Sequence, residues 1–197
     1  MIRPTLDADE DFETGGFSSN LPWVTFGRGA HGENPNSEGW TVAAGEAVSG
    51  GYAARTGMLT QIQTSELEIT LNVTEAGSVS FYSKFLGNMD YGDNLTFSID
   101  GSTVAFSFLQ KPWAEASFPV SPGIHNFRWK YTHGIQDATF EDNAWLDAIK
   151  FPPHSQEFPP AEAIDLSGTP ESGSSITWHW RDVELRERQR SRLSSAT

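Results

Sequence analysis

The chain has 197 residues, a net charge of −13 and an isoelectric point of about 4.6, which argues against nonspecific nucleic-acid binding because phosphate contact needs clustered Lys and Arg. Only 20% of the residues are charged and 12% are aromatic, which excludes a disordered chain and allows one good core. The absence of cysteine excludes disulfides and thiolate chemistry, and no apolar run approaches the length of a membrane span.

The first sixty residues predict short strands and long loops that belong to one domain. They are rich in glycine and carry Phe12, Phe17, Trp23, Trp40 and Tyr52 as apolar anchors. The opening stretch MIRPTLDADEDF has no apolar h-region, so we expect no signal peptide and synthesis in a cytoplasm.

From Ser65 onward the pattern has a period of two, which is typical of half-buried antiparallel strands. ELEITLNV places four aliphatic residues on one face, and SVSFYSKF follows after a turn signal. Asp100-Gly101 lies between two alternating runs and predicts a hairpin. The strand NAWLDAIKF is apolar on both parities, and we assign its Asp147 to the same inward face as Trp145 and Ile149.

The spacing of eight to twelve residues between strands predicts an all-β fold, an antiparallel β-sandwich (jelly roll) over residues 1–153. We expect its core to contain Val104, Phe106, Phe127, Trp129, Ile149 and Phe151.

Residues 154–197 predict a C-terminal linker and an extended arm. A proline-rich stretch is followed by a short strand with Trp178 and Trp180 on one face, and then by a basic helix from Asp182 to Leu193. Residues 181–193 have a net charge of +2, against −15 for the rest of the chain. We therefore expect the arm to dock on an acidic surface through Trp178, Trp180, Arg186 and Arg188.

Five short motifs resemble the MAM-like jelly-roll domains of bacterial adhesins and the related carbohydrate-binding modules. They are, in order, DFETGGF, GWTV, GDNLTFSIDG, SPGIHNFRWKYTHG and DNAWLDAIKFP, and they span roughly residues 9–153. Because the chain shows no signal peptide, its setting also resembles that of a head decoration (cement) protein of a tailed phage. Fold alone does not fix function.

The resemblance implies that the first and last strands are neighbours and that Glu13 approaches Asp147. Asp11 and Asp142 are close in sequence and could complete a structural Ca²⁺ site, since calcium prefers six to eight oxygen ligands. The alternative is that Asp147 accepts hydrogen bonds from backbone amides and no ion is present.

Loop aromatics are the second candidate site. Trp23, Tyr91 and Trp113 fall in loop-like stretches, where flat rings suit sugars or protein partners; the alternative is that they close the ends of the sandwich. The five histidines form no metalloprotease pattern and no nucleophile elbow occurs, so we expect no enzyme.

Two functions remain open. The first is a virion protein that decorates a capsid as a homotrimer, with the major capsid protein as its partner. The alternative is an extracellular or phage-tail carbohydrate-binding or adhesin module that recognises glycans. Neither reading predicts nucleic acid or membrane as a partner.

Overall fold

The computed structural model describes the following residues: 6–29, 32–33, 39–57, 59, 62–87, 89–107, 112–135, 142–156, 163–172 and 175–182. The chain divides into two compact units, Met1–Phe158 and Pro159–Thr197. In the described part, a 3₁₀ helix at Met89–Tyr91 is the only helical element, and no helix there could cross a bilayer.

Fourteen strands account for the rest of the regular structure. In chain order they are β1 (Val24–Gly29), β2 (Gly32–Glu33), β3 (Thr41–Ala44), β4 (Tyr52–Arg55), β5 (Gln63–Val73), β6 (Gly77–Leu86), β7 (Asn94–Ile99), β8 (Ser102–Ser107), β9 (Ala114–Val120), β10 (Gly123–His133), β11 (Asn143–Lys150), β12 (His154–Ser155), β13 (Ala163–Ser172) and β14 (Ser175–Asp182).

The first unit is the predicted antiparallel β-sandwich. One sheet has the order β2-β1-β5-β10-β7-β8, with β12 paired to the end of β5, and the other has the order β3-β4-β11-β6-β9. Inward residues of both sheets form one apolar core. The alternation in β5 is confirmed, because its four predicted aliphatic residues are all buried: Leu67, Ile69, Leu71 and Val73.

The β7–β8 hairpin forms where the sequence predicts it, but the core assignment of Val104 is wrong. Asp100 and Gly101 both have positive φ, at 52° and 77°, as the tight hairpin turn requires. The register between β7 and β8 shifts between Phe97 and Ser98. Val104 is the extra residue of this bulge, without a partner in β7, and it is 42% exposed. The side chain of Phe106 lies outside the described residues.

A second bulge, in β11, corrects the orientation of Asp147. Trp145 and Asp147 pair with Lys84 and Tyr82, whose side chains alternate with the buried residues of β6, so both face away from the core. Ala148 then takes a φ of 48°, and the register shifts before Lys150. The bulge returns the later residues to the core, so Ile149 and Phe151 are buried as predicted. Phe127 and Trp129, in β10, are buried as predicted too.

The second unit contains a two-stranded sheet, in which β13 and β14 pair antiparallel. The predicted strand around Trp178 and Trp180 is confirmed, since both residues belong to β14. The predicted helix from Asp182 to Leu193, with Arg186 and Arg188, lies outside the described residues beyond its first position. Because β12 pairs with β5, the first unit extends past Pro153 to Phe158.

Candidate functional site

The start of the chain runs beside β11, as the resemblance implied. Glu10 forms an antiparallel bridge with Ile149, through hydrogen bonds of 3.1 Å and 2.9 Å between their main-chain atoms. This pairing carries Glu13 towards the loop between β3 and β4, which also covers the outward carboxylate of Asp147. The structure therefore brings Glu13 and Asp147 to the same loop.

Backbone N–H groups of that loop surround both carboxylates. Asp147 accepts hydrogen bonds from Val48 at 2.8 Å, from Ser49 at 3.0 Å and from the N–H of Ala148 at 2.7 Å. Glu13 accepts hydrogen bonds from the N–H of Gly51 at 2.9 Å and from the N–H of Tyr52 at 2.8 Å. Burial raises the pKa of Asp147, these amide hydrogen bonds lower it, and the charge of Glu13 raises it further. Asp147 thus has the backbone amide partners expected if no ion is bound beside it.

A calcium ion at this loop stays a prediction, with Glu13, Asp147 and Asp11 as its ligands. Asp11 accepts the N–H of Glu13 at 3.1 Å and lies close by, but Asp142 stands five residues before Asp147 on an extended strand, roughly 16 Å away. Asp142 is therefore wrong as a ligand at this loop. Calcium needs about six to eight oxygen ligands, whereas the groups that contact Glu13 and Asp147 are N–H donors.

A third carboxylate, Glu10, was missed from the sequence and, like Asp147, accepts three hydrogen bonds. Its two oxygens accept from Phe12 at 3.1 Å, Ser18 at 2.7 Å and the indole Nε1 of Trp23 at 2.8 Å. It is buried, and burial raises its pKa despite these three hydrogen bonds. Glu10 fixes the turn that follows it, in which Phe12 has a φ of 59°.

We expect Glu10 to make stability depend on pH. Because its folded pKa is raised above the ordinary 4.5, its contribution is complete below that value and is lost as pH rises through the folded pKa. The excess stability of the wild type over Glu10→Gln should therefore shrink as pH rises above 4.5 in urea titrations. Glu75→Gln, an exposed carboxylate on the β5–β6 turn, serves as the control. An excess that stays constant with pH would contradict this role.

Among the aromatic candidates, Trp23 is partly buried against the core. Its ring packs on Phe17, Trp129 and Phe151 with centroids 6.0 Å apart in each case, and its indole N–H is held by Glu10. These contacts fit the alternative considered from the sequence, in which Trp23 closes the edge of the core.

Tyr91 and Trp113 lie at one end of the sandwich. Tyr91 is in the β6–β7 connection and Trp113 directly precedes β9, whose first residue pairs with Ser83 near the end of β6. The β10–β11 connection emerges at the same end, since β10 runs antiparallel to β7. We call this region, with the turn before β5, the loop end. Tyr91 is 44% exposed and Trp113 is partly exposed.

Three exposed apolar residues of the loop end are held together through the backbone. The carbonyl of Tyr91 accepts the N–H of Ile135, and the carbonyl of Gly134 accepts the N–H of Ile62, both at 2.9 Å. Ile62 and Ile135 are 53% and 64% exposed. A side chain at Gly134 would collide with the carbonyl of Tyr91, so glycine is required for this close approach. Three exposed apolar side chains, one of them aromatic, therefore lie on backbone segments that are hydrogen-bonded to one another.

Comparison with known proteins supports the fold. No family model and no curated protein matches the sequence. Among solved structures, a carbohydrate-binding module of the β-sandwich superfamily is 13% identical over 75% of this chain and 62% of its own, with a TM-score of 0.52. The enzymatically active domain of tailspike protein 4 of bacteriophage CBA120 is 9% identical over 77% of this chain and 21% of its own, with a TM-score of 0.51.

At these identities the likeness concerns the fold alone. The first unit is a jelly-roll β-sandwich of the kind found in carbohydrate-binding modules. The chain spans 62% of the length of that module and 21% of the tailspike chain. Function has to be argued from the chain's own surfaces.

Proposed function

We propose that the chain is a non-enzymatic carbohydrate-binding module that recognises glycans at the loop end. The observation that carries this proposal is the exposed ring of Tyr91, anchored by backbone hydrogen bonds beside Ile62 and Ile135. The fold shared with a carbohydrate-binding module supports it. Such a module would act where glycans are displayed, outside a cell or on a virion.

The chemistry of the loop end suits a sugar ring. A pyranose has an apolar face of C–H groups that stacks on an aromatic ring, while its hydroxyls need polar partners at the edge. The carboxylate of Asp90 is exposed next to Tyr91, and Trp113 adds a second aromatic residue at the same end. The backbone of Tyr91 is hydrogen-bonded to Ile135 before binding, which reduces the loop entropy lost when a ligand binds.

A glycan array followed by calorimetry on the best ligand tests this proposal. Tyr91→Ala should weaken binding at least about tenfold, since stacking and the buried area of one ring are worth about 1.4 kcal/mol or more. Tyr52→Ala is the matched control, because Tyr52 is similarly exposed but belongs to β4, away from the loop end. Binding that survives Tyr91→Ala and fails in Tyr52→Ala, or an array with no ligand, would overturn the proposal.

The comparisons lend no support to capsid decoration, but one observation favours self-association. The arm forms a unit of its own with a two-stranded sheet, and a two-stranded sheet is marginal in water without a surface to cover it. We infer that the arm contacts another copy of the chain, in a homotrimer, or a capsid protein on a virion. Deleting residues 159–197 tests this inference.

A further inference from the structure

Beneath the loop end, three residues from separate parts of the chain converge. Asp93 precedes β7, His133 ends β10 and Asp142 precedes β11. One ligand atom from each lies within 4.8 Å of the other two, and no other group of three such side chains meets this condition among the residues that the structure describes. Asp93 and His133 are buried, and Asp142 is nearly so.

The imidazole of His133 is the feature that needs an explanation. It is fully buried, yet neither of its nitrogens has a hydrogen-bond partner within the described part of the chain. An unsatisfied buried polar group costs about 1–3 kcal/mol, so native structures rarely keep one without a reason. Its Nε2 lies 3.7 Å from Oδ2 of Asp142, which is too long for a hydrogen bond.

That separation fits two ligands of one metal ion. Atoms bound at about 2.1 Å in a tetrahedral arrangement are roughly 3.4 Å apart, close to the 3.7 Å between His133 and Asp142. The N–H of Gly134 donates to Oδ1 of Asp93 at 2.7 Å, an outer contact that orients the carboxylate. The close approach of Gly134 to Tyr91 fixes the position of that donor.

We propose that Asp93, His133 and Asp142 bind a divalent transition-metal ion, with Zn²⁺ as the best fit. One imidazole and two carboxylates are ligands that zinc accepts, and three protein ligands suffice for it. Calcium fits poorly, because it prefers six to eight oxygens and does not favour nitrogen. The site is separate from the loop that holds Glu13 and Asp147, and it does not depend on glycan binding.

Tyr131 is a neighbour of this site rather than a ligand. Burial raises the pKa of Tyr131, and the nearby carboxylates of Asp93 and Asp142 raise it further. Its hydroxyl is buried and makes no hydrogen bond to either carboxylate in the described region, so we assign it no part in binding the ion.

Calorimetric titration of ZnCl₂ into the EDTA-treated full chain, with metal content measured after gel filtration, tests the proposal. We expect one zinc per chain and a melting temperature that rises with zinc, because an ion that binds only the native state stabilises it. His133→Ala should lower the affinity at least about 100-fold, since losing an outer contact alone costs 10–100-fold. Zn²⁺ and Co²⁺ should bind more tightly than Mn²⁺ and Ca²⁺.

His125→Ala is the matched control. His125 also pairs with an aspartate, Asp100, at 2.7 Å, but this pair lies on an exposed turn. Its loss should leave zinc binding unchanged. If His133→Ala does not fold, zinc affinity is measured instead on Asp142→Asn, which keeps the side-chain volume. The proposal is overturned if the wild type binds no stoichiometric zinc, if calcium binds more tightly, or if His133→Ala and Asp142→Asn retain wild-type affinity.

Discussion

Trp129→Ala should lower the free energy of unfolding by about 3–5 kcal/mol, the usual cost of removing a large aromatic side chain from a core. Trp129 is 0% exposed. Its ring centroid lies 4.8 Å from that of Phe97, 5.3 Å from that of Phe81 and 6.0 Å from that of Trp23. Phe81 belongs to the opposite sheet, so the substitution opens a cavity between the two sheets.

Urea denaturation monitored by circular dichroism measures this loss, and Trp129→Phe is the comparison. The indole nitrogen of Trp129 is buried with no hydrogen-bond partner in the described part of the chain. Phenylalanine removes that polar atom and keeps a six-membered ring, so we expect it to cost less than about half as much as alanine. Equal losses in the two variants would show that ring packing at this position does not hold the sheets together.

The strands that could be predicted from sequence are those whose alternation is uninterrupted. In β5 and β10 the side chains alternate strictly, so composition alone assigns Leu67, Ile69, Phe127 and Trp129 to the inner face, and the structure confirms it. The Asp-Gly turn was equally predictable, because few residues tolerate two successive positive φ angles.

The errors arise where one extra residue is inserted. A bulge leaves no sign in the period-two pattern, but it exchanges the faces of all residues beyond it. Val104 was therefore assigned to the core, and Asp147 was assigned to the same face as Ile149. In both places the sequence pattern is compatible with either face. The register with the partner strand decides whether the side chain points into the core or away from it.

The candidate sites depend on contacts across the sequence and were only partly predictable. The proximity of Glu13 and Asp147 followed from the resemblance, whereas Glu10 shows its role only through the turn that brings Ser18 and Trp23 to it. His133 continues the inward series of β10, and this was the signal for a buried histidine. Nothing in the sequence indicates that Asp93 meets it, because forty residues separate them.

Deleting residues 159–197 should leave the sandwich folded and abolish self-association. Among the residues whose side chains the structure describes, the apolar core runs from Phe12 to Phe151, which the deletion leaves intact. The truncated chain and the full chain should have the same melting temperature. Both are measured at one protein concentration, low enough that the full chain is dissociated. The mass from light scattering should fall from that of an oligomer to that of a monomer.

The expected loss follows from what a hairpin lacks. The strands β13 and β14 pair with each other and with no other strand in the described part of the chain, and a two-stranded sheet is marginally stable by itself. Trp178 and Trp180 are two large apolar residues of β14. Trp178→Ala with Trp180→Ala in the full-length chain should therefore reproduce the monomer, whereas Thr177→Ala, in the same strand, should not. A full-length wild type that is itself monomeric, or a truncated chain that keeps the oligomeric mass, would remove self-association through the arm.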